Sequence, residues 1–75
     1  MLKDQFANVI RDLRMERGLS QEKLGFLAGL DRTYIWRIEN AKRVPSIEVL
    51  FMLAKGLEIN PSEIILKVEN SISAV

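Results

Sequence analysis

The stretch SQEKLGFLAGLDRTYIWRIEN, Ser20 to Asn40, predicts two short helices separated by one glycine turn. Ser20 suits an N-cap, because its hydroxyl accepts from an orphan amide of the first turn, and Glu22 places negative charge near the positive helix end. The first of the two helices is therefore expected to start at about Gln21. Leu24, Leu27 and Ala28 recur at helical spacing and predict one apolar stripe, leaving Gln21, Glu22 and Lys23 wet. Gly29 stands where the chain must turn, since glycine adopts the left-handed conformation without a Cβ penalty. Asp31 then caps the next helix after a very short connection.

So brief a turn forces the two helices to cross steeply, which is the helix-turn-helix arrangement. The second helix carries the sharper signal. With Arg32 as zero and about 100° per residue, Trp36 falls near 40°, Thr33 near 100° and Arg37 near 140°, whereas Tyr34, Ile38 and Ile35 fall between about 200° and 300°. One arc is polar donors and an indole; the opposite arc is apolar. The isoleucines require a core, so Arg32, Thr33, Trp36 and Arg37 are expected to face out. Such an arc suits a DNA major groove, where arginine matches guanine bidentately and threonine offers a hydroxyl and a methyl. A solvated helix face holding two arginines is the plainer reading, and an exposed aromatic argues against it.

Gln21 opening the first helix, Ala28-Gly29-Leu30 at the turn, Ile35, and Ile38-Glu39-Asn40 followed by Lys42-Arg43 and Pro45-Ser46 together resemble the Cro/repressor-like (XRE) family of helix-turn-helix DNA-binding domains. The resemblance spans roughly residues 4 to 66. Within that family the run Leu30-Asp31-Arg32-Thr33-Tyr34-Ile35, on so short a chain, is similar to the controller proteins of restriction-modification systems. The resemblance implies an all-α, compact five-helix, lambda-repressor-like domain with the motif on helices 2 and 3. It implies base contacts from Arg32 and Thr33, with Trp36 and Arg37 one turn further along. It also implies phosphate contacts from Gln21, Tyr34, Asn40, Lys42 and Arg43, which set register rather than sequence. For Asn40 a helix C-cap, and for Arg43 an ordinary loop charge, stand as alternatives.

Three positions depart from the family pattern. Trp36 occupies a place that is usually small or polar. Ala41 replaces the glycine that follows Glu-Asn, so it either avoids positive φ or carries strain on the order of 1 kcal/mol. Gly25 stands mid-helix in place of alanine, which weakens the helix by up to about 1 kcal/mol and suggests close packing.

Outside the motif the chain supplies a scaffold. Phe6, Ile10 and Leu13, with Val9 alongside, predict an amphipathic first helix ending at Gly18, and Leu19 is expected to cover the junction. Ser46 caps a fourth helix whose Val49, Leu50, Leu53, Ala54 and Leu57 make a wide apolar face. Asn60-Pro61-Ser62-Glu63 starts a short fifth helix carrying Ile64, Ile65 and Val68, with a capping box closed by Glu63. Ser71 to Val75 is expected to fray.

At 75 residues the chain buries only about 60% of its unfolded surface and is expected to be marginal as a monomer. Ile47, Phe51, Ile65 and Leu66 fall beyond the stripe that an intramolecular core needs. Either the domain uses them internally, or they form a two-fold homodimer interface that sets two reading helices about 34 Å apart on a near-palindromic operator.

Charge is uneven along the chain. Residues 1–45 hold nine Lys/Arg against six Asp/Glu, a net +3, and residues 46–75 hold two against four, a net −2. The basic half contains the expected reading head, and the acidic half is a candidate for contact with RNA polymerase. With no cysteine and no histidine, there is no disulfide framework, no thiolate metal site and no ordinary nucleophile–base pair, so neither catalysis nor a metal or other cofactor is expected. Glu39, the one partly enclosed carboxylate, is expected to pair with Arg37, Lys42 or Arg43. The charged first helix has no apolar signal core and no run reaches membrane-spanning length, so a cytoplasmic setting without membrane contact is expected. A protein-interaction module of antitoxin type, in which Trp36 meets another protein, is the alternative function.

Overall fold

The computed structural model describes residues 2–73, Ser73 by its backbone alone. Five helices follow one another: α1 (Leu2–Glu16), α2 (Gln21–Ala28), α3 (Arg32–Glu39), α4 (Ile47–Leu57) and α5 (Pro61–Ser73). The all-α, five-helix expectation holds. α2 packs on α3 and α4, α1 packs on α3 and α5, and α4 meets α5. The apolar stripes thus converge on one core in which Ile10, Leu24, Ile35, Ile38, Leu53, Leu57 and Ile64 are fully enclosed. Each such side chain contributes about 1.5–3 kcal/mol by leaving water. Leu19, Leu30, Tyr34, Val49, Ile59 and Ile72 pack around that centre, partly buried.

Local sequence sets the helix ends. The Ser20 hydroxyl accepts from the Lys23 amide at 3.0 Å, Asp31 Oδ1 accepts from the Thr33 amide at 3.3 Å, and the Ser46 hydroxyl accepts from the Val49 amide at 3.2 Å. Gly29 ends α2 at φ 75°, the left-handed turn expected of it, and the Leu30 amide donates back to the Gly25 carbonyl at 2.8 Å. Pro61 opens α5, and the Asn60 amide donates to Glu63 Oε1 at 3.4 Å, which supplies one arm of the expected capping box.

Four expectations are corrected. Leu27 is 39% exposed, and Gly25 takes its place on the inner face of α2 beside Leu24 and Ala28. At about 100° per residue Leu24, Ala28 and Gly25 span one arc of about 100°, with Leu27 about 60° outside it. Gly25 is there because the backbone of the turn lies against it: a Cβ would come within 2.6 Å of the Leu30 carbonyl oxygen. The first helix stops at Glu16, before Gly18, which is left-handed at φ 65°. The fifth helix is not short: it runs 13 residues, so Ser71 to Ser73 are helical, with Ile72 packed on the core, while Ala74 and Val75 lie outside the described residues. Glu39 does not pair with Arg37, Lys42 or Arg43; its partners come from α1 and α2, as described below.

Ala41 accepts positive φ, at 57°, so alanine stands in the left-handed conformation that glycine adopts freely. No helix among the described residues is long and apolar enough to cross a membrane.

Candidate nucleic-acid interface

The orientation of α3 decides what the molecule presents. Ile35 and Ile38 have no exposed surface, and Arg32, Thr33, Trp36 and Arg37 are all exposed, Trp36 by 46%. The buried isoleucines fix the roll of the helix, because turning it would move branched aliphatics into water at a cost of about 1.5–3 kcal/mol each. Three polar residues and an indole therefore project on one side, led by the N-terminus of α3.

Around this arc stand the residues expected at the phosphate backbone. Gln21 is the first residue of α2 and half-buried, with Nε2 donating to Glu39 Oε1 at 3.2 Å. It shares a cleft with Arg14, Ser20, Glu22 and Arg32, so the opening of α2 and the opening of α3 face a common space. Tyr34 is half-buried against the core, and the exposed Arg43 guanidinium lies 4.8 Å from the centre of its ring, a cation–π contact. Lys42 is exposed, its backbone amide donating to the Arg37 carbonyl at 2.8 Å. Asn40 is an exposed C-cap of α3: its Nδ2 donates to the Trp36 carbonyl at 2.9 Å.

At the C-terminal end of α3 lies a charged network that sequence reasoning missed. Glu39, 1% exposed, receives Arg14 Nε at 2.7 Å and Arg14 Nη2 at 2.9 Å, a bidentate pair. Arg14 Nη1 donates to the Leu19 carbonyl at 2.7 Å, and Arg11 Nη2 donates to the Glu39 carbonyl. The hydrogen bond to Glu39 pushes the Arg14 guanidinium above its ordinary pKa, against the opposing effect of burial. A signal for this was present: Arg14 follows Ile10 by four residues and so lies on the inward side of α1.

The candidate dimer residues belong to other helices. Ile47 is 71% and Phe51 60% exposed on α4, and Ile65 and Leu66 are exposed on α5. They are surplus to the core of one chain. Phe26 on α2 is also exposed, with the Lys23 ammonium 5.2 Å from its ring centre. Among the described residues no group of three or more acidic side chains is placed to hold a metal ion.

A helix-turn-helix family model, HTH_3, matches residues 10–64. The chain belongs to the helix-turn-helix family. Its sequence is similar to the control protein C.MunI of a Mycoplasma species, 41% identical over 69 residues that cover 91% of this chain and 93% of that one. It is also similar to the control protein C.BamHI of Bacillus amyloliquefaciens, 34% identical over 61 residues, covering 80% and 75% of the two chains. Two solved structures share the fold of this helix-turn-helix chain. The restriction-modification controller protein C.Esp1396I superimposes with a TM-score of 0.90 at 33% identity, over 100% of this chain and 97% of that one. The restriction-modification controller protein C.AhdI from Aeromonas hydrophila does so with a TM-score of 0.79 at 42% identity, over 83% and 94%. The XRE-type resemblance read from the motif is thereby matched over residues 10–64.

Proposed function

We propose that this chain is a sequence-specific DNA-binding regulator of transcription that acts as a homodimer on a near-palindromic operator and controls its own promoter and that of a restriction-modification system. One observation carries the reading: α3 encloses Ile35 and Ile38 completely and turns Arg32, Thr33, Trp36 and Arg37 to solvent. The similarity to control proteins over more than nine-tenths of the C.MunI chain supports the restriction-modification assignment.

In this reading Arg32 and Thr33 meet base edges first, with Trp36 and Arg37 one helical turn on. Gln21, Tyr34, Asn40, Lys42 and Arg43 meet phosphates and fix the register of α3 in the groove. Ile47, Phe51, Ile65 and Leu66 of two copies cover one another, and pairing makes operator occupancy steep in protein concentration, which suits delayed, self-regulated expression. The acidic C-terminal half then points away from the duplex, where a contact with RNA polymerase has room. The setting is the cytoplasm, with the operator.

The deciding experiment is Arg32→Ala, measured against the operator and a scrambled duplex. Operator affinity is expected to fall by about 1–3 kcal/mol per half-site, with the fold and the scrambled-duplex affinity retained. An unaltered operator affinity would reject base reading by α3 and favour a protein partner for its exposed face.

A further inference from the structure

We infer that Glu39 is a positioning residue for the DNA phosphate contact of Gln21, so that one buried carboxylate anchors both the end of the reading helix and the backbone clamp beside it. The inference rests on the DNA-binding reading above. Glu39 is the last residue of α3, almost wholly buried, and its Oε1 is shared by Arg14 of α1 and Gln21 of α2. A carboxylate only accepts, so the amide nitrogen of Gln21, and not its oxygen, must face Glu39. That nitrogen keeps a second N–H. The side chain lines the cleft it shares with Arg14, Ser20, Glu22 and Arg32, and in this inference the second N–H is the donor that meets the phosphate.

The ion pair itself does not require Gln21. The two donors of Arg14 already engage both carboxylate oxygens, at 2.7 and 2.9 Å, and Gln21 adds a third, longer bond of 3.2 Å from the first turn of α2. What that bond does is hold a long side chain in one conformation before DNA arrives, removing an ordering cost from binding. The same group also ties Gln21 to α3, since Arg11 and Arg14 fasten Glu39 from both its carbonyl and its carboxylate. The phosphate donor and the base-reading arc therefore share one anchor.

The test compares Gln21→Ala in two backgrounds, the natural chain and the double variant Arg14→Met/Glu39→Leu, which replaces the whole ion pair with apolar groups and so avoids an orphaned buried charge. In the natural chain Gln21→Ala is expected to weaken binding about tenfold per half-site, equally on operator and scrambled DNA, the magnitude of one charge-assisted hydrogen bond. The salt slope should not change, because a neutral amide releases no counterion. In the apolar-pair background the same substitution should cost less than about threefold. Equal losses in both backgrounds would overturn the positioning role, and so would a double variant whose loss is confined to the operator, since that marks a tilted α3 instead of a released clamp.

A second measurement uses the unmutated protein without DNA and stands whether or not the variants fold. The Gln21 side-chain amide is expected to show a 15N order parameter near the rigid backbone value of about 0.85, and a value below about 0.6 would overturn the inference. A rigid Gln21 amide combined with a Gln21→Ala variant that binds DNA normally would instead overturn the phosphate-contact reading, leaving the two failures distinct.

Discussion

The guanidinium of Arg14 holds both carboxylate oxygens of Glu39, through Nε at 2.7 Å and Nη2 at 2.9 Å, joining α1 to the last residue of α3. Glu39 is the almost wholly buried charge among the described residues, and it ends the helix that carries the proposed reading arc. Removing one partner leaves the other charge enclosed. Glu39→Ala or Arg14→Ala is expected to cost about 3–5 kcal/mol in urea unfolding, whereas Arg14→Met/Glu39→Leu should be near neutral. Equal losses for single and double variants would show that packing, and not the uncompensated charge, sets the cost.

Gly25→Ala sets two effects against each other. Helix propensity alone favours alanine by about 1 kcal/mol. The new Cβ would lie 2.6 Å from the Leu30 carbonyl oxygen, a backbone atom of a residue whose amide donates to the Gly25 carbonyl at 2.8 Å. The clash should win, with a net loss of about 1–3 kcal/mol and a lower melting temperature. A stabilised variant would mean that the turn between α2 and α3 yields easily.

Ala41→Gly should raise stability. Alanine at φ 57° carries left-handed strain of about 1–2 kcal/mol, while glycine costs about 0.4–1 kcal/mol through the freedom it gives the unfolded chain. The balance is a gain of up to about 1.6 kcal/mol, read as a shift of the denaturation midpoint at unchanged slope.

Lys42→Ala and Arg43→Ala should behave unlike Arg32→Ala. As phosphate contacts they would weaken operator and scrambled duplex alike, and each would flatten the salt slope by about 1.8 for a dimer that loses two charges. A loss restricted to the operator would move that residue from the backbone to the bases.

Phe51→Glu addresses the dimer. Phe51 is 60% exposed in one chain, so its replacement should leave the melting temperature of the monomer nearly unchanged. If two copies cover it, the dimer constant measured by sedimentation should worsen by at least about a hundredfold, since each copy forfeits about 1.5–3 kcal/mol of apolar burial. Unchanged association would place the two-fold contact elsewhere.

The sequence by itself determined the caps, the turn and the roll of α3. Ser20, Asp31, Ser46 and Gly29 act within their own first or last turns, and Ile35 and Ile38 repeat at a period that defines an inward side without reference to the rest of the chain. The same local signals made Arg32, Thr33, Trp36 and Arg37 legible as an exposed arc. Tertiary structure decided what lies opposite each helix. Gly25 displaced Leu27 from the inner face of α2 because the backbone of a later turn leans on it. Glu39 found Arg14 and Gln21, 25 and 18 residues away, in place of the cations next to it. Periodicity reports one helix at a time, whereas the partner of a buried charge depends on which helices meet at that point, and only the assembled packing of α1, α2 and α3 fixes that.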